Sequence, residues 1–176
     1  MLFRSRFAPA KEIVQPLSAT AQSIAAPSAQ AVIGVPGRDY SSLAAKVADM
    51  DVDGVLDAET HCLATAVFYE ARSESLEGQL AVARVIVNRA ASARFRDSLC
   101  GVVKQPGQFS FVRGGAIPDP SYGGSSWKTA IAIARIAVVN GWENVAEGAL
   151  YFHARRVAPA WTRKRVAAID NHIFYR

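Results

Sequence analysis

The middle of the chain alternates between apolar runs at helical spacing and short polar breaks. Residues 58–72 and 76–93 form two such runs, and residues 126–140 form a third that is rich in Ile, Ala and Val. The second run is apolar on most of its sides, which predicts a central, buried helix. A shorter helical pattern over residues 41–50 marks the expected start of the ordered domain.

Polar residues and glycine indicate where these helices begin and end. Asp57 or Thr60 can cap the first long helix, and Ser75 can cap the second. Gly141 stands where a left-handed residue would end the third. The break between the first two helices therefore lies just before Ser75.

Short extended segments are predicted at residues 108–112, 149–153 and 172–175. A stretch rich in glycine and proline over residues 101–124 is too long for a simple connector, and such loops are often functional. Together these elements predict an α+β fold that is mainly helical, is built around a buried central helix, and carries a small antiparallel β-sheet.

The first forty residues have a different composition from the rest. They contain four of the eight prolines and are otherwise mostly Ala, Ser and Gln, a mixture that buries too little apolar area to offset chain entropy. We therefore expect a disordered arm or linker over residues 1–40 and one domain over residues 41–176. Arg4 and Arg6 hint at a secretory signal, but no apolar stretch long enough for one follows them, so no clear signal peptide is seen.

Composition and charge narrow the class of protein. Of the 176 residues, 51% are hydrophobic and 20% charged, which excludes a wholly disordered chain. No apolar run approaches the ~18 residues that a membrane span needs. The net charge is +5, and the excess of basic residues lies in residues 61–176. The domain should therefore attract polyanions such as nucleic acid, acidic lipid or cell wall. The alternative is that the charge serves solubility alone.

Glu70 is the side chain best suited to chemistry. It lies near the end of the first long helix, with Ala66 and Val67 one turn back on its own face. A carboxyl group in apolar surroundings resists ionisation, so its pKa rises and it can donate a proton to a leaving oxygen and later take one back. The alternative is an ordinary ion pair between Glu70 and Arg72.

Glu74 follows four residues later and allows two interpretations. If the helix continued through Ser73, Glu74 would share a face with Glu70 and the two charges would repel. Ser73 and Ser75 favour a helix end instead, which leaves Glu74 and Glu77 as cap or surface charges. We adopt the second interpretation.

Metal and nucleophile chemistry have little support in the sequence. His61, His153 and His172 do not stand at the helical spacing of a zinc site, and no Gly-x-Ser-x-Gly segment is present. Cys62 and Cys100 are interpreted as a buried pair or a disulfide, with the disulfide expected if the protein is exported. We predict no metal and no cofactor.

Eight short motifs follow one another through the predicted domain. In chain order they are Tyr-Glu-Ala-Arg-x-Glu at residues 69–74, Glu-Gly-Gln at 77–79, Val-Ile-Val-Asn-Arg at 85–89, Cys-Gly-Val-Val at 100–103, Gln-Phe-Ser at 108–110, Tyr-Phe-His at 151–153, Pro-Ala-Trp at 159–161 and Asn-His-Ile-Phe-Tyr-Arg at 171–176. Over residues 57–176 this series closely resembles the SleB-like cell-wall hydrolase family, which includes spore-cortex-lytic enzymes. Several separated motifs in one order are more specific than any of them alone.

The resemblance implies cleavage of peptidoglycan glycan strands, by lytic transglycosylation or as a muramidase, on a fold related to goose-type lysozyme. Glu70 matches the family's catalytic glutamate. It would protonate the oxygen between N-acetylmuramic acid and N-acetylglucosamine and then deprotonate the muramoyl 6-hydroxyl, which closes a 1,6-anhydro ring without the second carboxylate that most glycosidases use. The alternatives are a metal-dependent N-acetylmuramoyl-L-alanine amidase and a non-catalytic wall-binding or nucleic-acid-binding module.

The chain departs from the family in two places. Ser73 stands where the family usually has glycine, and a positive φ there would cost serine on the order of 1 kcal/mol. Many relatives also carry a cysteine pair around the Gln-Phe-Ser motif, where this chain has Gly107 and residues near Val112. Neither departure removes Glu70.

Five polar or aromatic residues are expected to bind the substrate. They are Gln79, Gln108, Ser110, Tyr151 and His153. Gln79, like Asn88, is a polar position in an apolar helix and could instead satisfy local backbone. Each of the three tryptophans could either stack on a sugar ring or belong to the core; they are Trp127, Trp142 and Trp161.

A basic run over residues 155–165 surrounds Trp161. It could follow phosphates or the anionic stems of peptidoglycan, or it could be a solvated face without function. We expect peptidoglycan as the partner, no nucleic acid, no integral membrane segment, and a location in the cell envelope or periplasm.

Overall fold

Within residues 38–120, 124–144 and 146–176, which the computed structural model describes, the chain forms five helices and three strands. The helices are α1 (Leu43–Asp49), α2 (Ala58–Ala71), α3 (Leu76–Ala90), α4 (Leu99–Val103) and α5 (Ser125–Val138), and the strands are β1 (Tyr151–Ala154), β2 (Arg165–Ile169) and β3 (His172–Tyr175). The predicted α+β class is confirmed. The expected arm over residues 1–40 lies outside the described residues, except for its last three.

The two central helices begin where the sequence predicted. Asp57 is the N-cap of α2, and its carboxylate accepts hydrogen bonds from the backbone N–H and the hydroxyl of Thr60, at 2.9 and 2.6 Å. Ser75 is the N-cap of α3, and its hydroxyl oxygen accepts from the N–H of Gly78 at 3.1 Å. Such caps satisfy backbone donors that a helix leaves unpaired, so they fix the residue at which each helix starts.

The core lies where α2, α3 and α5 pack against one another. Their inward side chains are fully or almost fully buried, among them Leu63, Val67, Leu80, Ile86, Ile133 and Ile136. Burying one such side chain stabilises the fold by about 1.5–3 kcal/mol before entropy is counted. The predicted burial of the second long helix, α3, is confirmed, and α5 shares its central position.

The C-terminal end of α5 corrects a prediction. Asn140, not Gly141, takes the left-handed conformation, with a φ of 52°. The N–H of Gly141 donates to the carbonyl of Ile136 at 2.9 Å, and that of Asn140 to Ala137 at 3.2 Å. This is a Schellman arrangement, in which asparagine replaces the usual glycine because it tolerates the left-handed region better than most side chains.

The sheet is antiparallel, with β3 between β1 and β2. Two of the predicted extended segments, 149–153 and 172–175, correspond to β1 and β3. The third, 108–112, is wrong, because its backbone closes local turns: the N–H of Val112 donates to the carbonyl of Phe109 at 3.3 Å. Two elements were not predicted, β2 and the short helix α4.

The two faces of the sheet have different surroundings. Phe152 and Phe174 lie on the inner face, 6.0 Å apart between ring centroids, and pack with buried residues of α2 and α3. The opposite face carries Tyr151, His153 and Tyr175, because side chains alternate along a strand and residues paired across strands share a face. We refer to this second face as the outer face.

A disulfide joins the beginning of α2 to α4. Cys62 and Cys100 form it, with their Cα atoms 5.2 Å apart. The carboxylate of Glu59 also accepts from the backbone N–H of Cys100 at 3.1 Å. Among the described segments, none of the helices combines the length and the apolar character that crossing a bilayer requires.

Candidate active site

Glu70 lies in the last turn of α2, where its side chain is partly buried. Within the described residues its carboxylate has no hydrogen bond and no ion pair. Burial raises the pKa of Glu70 above the ordinary glutamate value, and the negative end of the α2 dipole acts in the same direction. A partly buried carboxyl group with no partner can hold a proton and release it to a bound substrate.

The alternative ion pair between Glu70 and Arg72 is not formed. The guanidinium of Arg72 lies over the ring of Phe68, 4.9 Å from its centroid, and one of its nitrogens is 3.4 Å from the carbonyl oxygen of Phe68. Arg72 therefore turns back along α2.

Glu74 corrects a second prediction, because it is neither a cap nor a surface charge. Its side chain is only 3% exposed, and its Oε1 lies 2.9 Å from Nδ1 of the buried His172. Burial raises the pKa of Glu74, while the nearby His172 lowers it and Asp170 raises it further. The partner comes from β3, so the local pattern around Glu74 could not indicate it.

The turn between α2 and α3 has ordinary backbone geometry. It closes with a hydrogen bond of 2.9 Å from the N–H of Glu74 to the carbonyl of Ala71. In the described part of the chain, the non-glycine residues with positive φ are Asn140 and Asp170, so Ser73 carries none of the strain considered for it.

The hairpin turn between β2 and β3 is fastened to this helical turn. The carboxylate of Asp170 accepts from the backbone N–H and the hydroxyl of Ser75, at 2.9 and 2.5 Å. A Cβ added at Gly78 would lie 2.5 Å from Asp170 Oδ2 and 2.9 Å from Glu74 Oε2, so a larger residue would force both carboxylates to shift. The helix end that carries Glu70 is thus followed by a turn with two polar attachments to the sheet.

An open cleft of about 450 Å³ lies beside the end of α2, with Tyr69, but not Glu70, among its lining residues. Tyr69 lines it, stacked on Phe111 with 5.0 Å between ring centroids, and donates its hydroxyl to the carbonyl of Asp119 at 3.0 Å. The other lining residues come from the loop after α4, namely Arg113, Ala116, Ile117 and Pro118. The walls are mainly apolar, which suits the face of a sugar ring.

Two predicted substrate residues lie on this same loop. Gln108 and Ser110 are exposed on either side of the buried Phe109. Phe109 and Phe111 are in contact, with their ring centroids 5.6 Å apart. Phe111 stacks on Tyr69, so this loop runs beside the cleft, although neither Gln108 nor Ser110 is among the residues that line it.

Gln79 and Asn88 hold backbone in place. The side-chain nitrogen of Gln79 donates to the carbonyl of Glu74 at 3.1 Å, and its amide is buried. The side-chain nitrogen of Asn88 donates to the carbonyl of Ala149 at 3.0 Å. Gln79 therefore supports the turn after Glu70, and Asn88 fastens α3 to the segment before β1.

Tyr151 and His153 lie together on the outer face of the sheet. His153 Nε2 is 2.9 Å from the hydroxyl of Tyr175, and Nδ1 is 2.9 Å from the carbonyl of Ala154. Trp161 makes edge contacts with Tyr151 and His153, at 6.2 and 5.6 Å between centroids, and is 42% exposed. Trp127 is buried and Trp142 half-buried, so Trp161 is the tryptophan most open to a sugar.

Arg89 is a residue that the sequence reasoning missed. It is 5% exposed, it donates Nε–H to the carbonyl of Leu150 at 2.7 Å, and burial lowers its pKa to about 10. Its guanidinium lies within about 6 Å of the rings of Phe109 and Phe152. Arg89 therefore connects the loop beside Tyr69 to β1, and the signal that could have identified it was its place, with Arg84, in an otherwise apolar run.

The three histidines do not gather into a metal site in the described ranges, where no group of three or more His, Cys, Asp or Glu residues is arranged to hold a metal ion. His172 contacts Glu74, and His153 contacts Tyr175.

Comparison with known proteins gives one consistent result. A family model described as Cell Wall Hydrolase matches residues 73–175, beginning three residues after Glu70. The spore cortex-lytic enzyme of Oceanobacillus iheyensis is 36% identical over 126 residues, which is 69% of this chain and 42% of the relative. That of Bacillus subtilis is 35% identical over 126 residues, 69% of this chain and 38% of the relative. The chain thus spans less than half the length of these relatives.

Solved structures give the same result. The catalytic domain of the Bacillus cereus SleB protein aligns with a TM-score of 0.57 and 34% identity, over 70% of this chain and 94% of that one. The catalytic domain of the germination-specific lytic transglycosylase SleB from Bacillus anthracis aligns with a TM-score of 0.55 and 34% identity, over 70% of this chain and 98% of that one. The chain therefore corresponds to the catalytic part of such proteins.

Proposed function

Because the chain belongs to the SleB-like cell wall hydrolase family, we propose that it cleaves peptidoglycan glycan strands, with Glu70 as the single general acid and base. The observation that carries this proposal is the carboxyl group of Glu70, which is partly buried, has no partner within the described residues and has a raised pKa. Such a group is protonated over a wider pH range than an exposed glutamate.

The reaction proceeds in two proton transfers. Neutral Glu70 gives its proton to the oxygen between N-acetylmuramic acid and N-acetylglucosamine, and the bond from that oxygen to the muramoyl C1 breaks. The resulting carboxylate then takes the proton of the muramoyl 6-hydroxyl as its oxygen bonds to C1. Glu70 ends as it began, and the product is a 1,6-anhydro sugar formed without water.

One carboxylate suffices for this scheme, which agrees with the surroundings of Glu74. That side chain contacts His172 and is almost fully buried, so it is not free to act as a nucleophile. A solved relative is named a lytic transglycosylase, which also supports the anhydro product over hydrolysis by water.

The same proposal indicates where the protein acts. Peptidoglycan lies outside the cytoplasmic membrane, so we propose the cell envelope or periplasm as the place of action. A disulfide between Cys62 and Cys100 agrees with an oxidising compartment.

The test compares Glu70→Gln with Glu77→Gln in the release of muropeptides from purified sacculi. Glu77 is exposed in the first turn of α3 and serves as the matched control. Since general acid–base catalysis contributes roughly 10²–10⁴-fold, Glu70→Gln should reduce the release by that factor while Glu77→Gln leaves it unchanged. Mass spectrometry of the products should show anhydro ends.

Three results would contradict the proposal. The first is full activity of Glu70→Gln. The second is the release of free stem peptides in a reaction that EDTA abolishes and zinc restores, which would indicate an amidase. The third is binding of the wild-type protein to sacculi with no release of muropeptides, which would indicate a wall-binding module.

A further inference from the structure

The connection between β1 and β2 is strongly cationic. Residues 155–165 contain five basic side chains and no acidic one, and the first acidic residue after them is Asp170. The five are exposed, namely Arg155, Arg156, Arg163, Lys164 and Arg165. This density of unmatched charge exceeds what solubility needs and favours an anionic partner.

Four rings lie beside this charge on the outer face of the sheet, and we call them the aromatic platform: Tyr151, His153, Trp161 and Tyr175. His153 stacks on Tyr175 with 5.3 Å between centroids, and Trp161 makes edge contacts with the other three. Trp161 remains 42% exposed, although a ring of this size is usually covered. An exposed, well-supported indole offers an apolar surface on which a sugar ring can stack.

Arg163 joins the charge to the rings. Its guanidinium lies 3.5 Å from the centroid of Tyr151 and 5.7 Å from that of Trp161. Within the described part of the chain it forms no ion pair. A guanidinium stacked on a ring keeps its N–H groups in its own plane, at the edge of the ring, where they match the two oxygens of a carboxylate.

We propose that the aromatic platform and Arg163 form a subsite for the peptide stems of peptidoglycan, in which Arg163 binds a stem carboxylate and Trp161 contacts the adjoining sugar. This inference rests on the proposed function, and it adds a preference for glycan that carries stems over bare glycan. The guanidinium of Arg163, whose plane is fixed by stacking on a ring, favours a planar carboxylate as its partner. The exposed indole of Trp161 favours a carbohydrate as its neighbour.

The test measures binding in a Glu70→Gln background, so that the polymer is not cleaved. The two substrates are intact sacculi and glycan from the same sacculi after an amidase has removed the stems. The protein should bind the intact material about ten-fold more tightly, which is the scale of one charge-assisted bidentate contact. Arg163→Gln should abolish this preference, and Arg163→Lys should restore only part of it.

Two controls separate the parts of the subsite. Arg94→Gln removes an exposed cation that contacts no ring within the described ranges, and it should leave the preference intact. Trp161→Ala should weaken binding to both substrates by a similar factor, since the sugar is common to them. Muropeptide release by the wild-type protein is measured separately, so a failure of the proposed function is distinguished from a failure of the subsite.

The inference is overturned if Arg163→Gln leaves the preference unchanged, or if it lowers binding to the two substrates equally. It is also overturned if single-stranded DNA competes with sacculi and loses its affinity in Arg163→Gln, since the surface would then bind nucleic acid.

Discussion

Two glutamates lie four residues apart, one at the end of α2 and one in the turn that follows, and burial raises the pKa of both. Glu74 has a partner, because its Oε1 lies 2.9 Å from Nδ1 of His172. Glu70 has none within the described residues. A raised pKa therefore does not by itself identify a general acid. The carboxyl group must also be free to pass its proton to a substrate, and only Glu70 meets that condition.

The two positions differ in what covers them. Glu70 is still on α2, and the preceding residue, Tyr69, lines the open cleft, although Glu70 itself is not among its lining residues. Glu74 is in the turn, where the β2–β3 hairpin covers it with His172 and attaches to Ser75 through Asp170. We infer that Glu74 holds the turn against the sheet and that Glu70 carries the chemistry.

The largest effect on stability is expected from Glu74→Ala. Removing one partner of a buried pair leaves the other without compensation, which typically costs about 3–5 kcal/mol in the free energy of unfolding. Unfolding in urea measures this cost. Glu77→Ala, an exposed neighbour, should change the stability by no more than about 0.5 kcal/mol. If Glu70→Ala proved as costly as Glu74→Ala, the contrast between a free and a paired carboxylate would be lost.

Gly78→Ala is the next test, and it sharpens the same contrast. The new Cβ would lie 2.5 Å from Asp170 Oδ2 and 2.9 Å from Glu74 Oε2, and both carboxylates are tethered. We expect a loss of about 1–3 kcal/mol, although alanine normally favours a helix over glycine. The same change should cost less in a Glu74→Ala background and the same as before in a Glu70→Gln background. Equal costs in all three backgrounds would contradict this arrangement.

Local signals in the sequence were sufficient for the beginnings of α2 and α3 and for the partly apolar surroundings of Glu70. Asp57 and Ser75 cap helices through hydrogen bonds to residues three positions away, so the signal and its structure are adjacent in the chain. The apolar residues one turn back on its own helix, Ala66 and Val67, are fully buried, and Glu70 itself is partly buried. Its raised pKa could therefore be anticipated from the pattern alone.

The features that the sequence pattern did not indicate depend on contacts between residues that are distant in sequence. Glu74 is buried by His172, and Arg89 is buried by Phe109, Phe152 and the carbonyl of Leu150. Nothing in the neighbouring residues distinguishes Glu74 from an ordinary surface charge, and for Arg89 the one local signal is its position in an apolar run. Strand β2 begins in a basic run. It forms a strand because it pairs with β3, and the intrinsic preferences of its own residues do not indicate that pairing.

The smallest effect concerns the pH dependence that Glu70 gives to stability. Its pKa in the folded state lies above the ordinary value of 4.5, so the folded protein binds this proton more tightly than the unfolded chain does. The stability linked to that proton is fully present below about pH 4.5 and is lost as the pH rises through the folded pKa. Glu70→Gln removes this loss, while Glu74 contributes equally to both proteins and cancels in their difference.

The stability of the wild type relative to Glu70→Gln should therefore decline as the pH rises from about 4.5 through the folded-state pKa of Glu70, and urea unfolding of both proteins over a pH series measures the decline. The effect is the smallest of the three because the carboxyl group is only partly buried. In the pH profile of muropeptide release, kcat/KM should fall on the basic side as Glu70 loses its proton, because the protonated form of Glu70 is the proton donor. A stability difference that does not vary with pH would mean that Glu70 titrates as an exposed glutamate, and the distinction between the two carboxylates would no longer rest on burial.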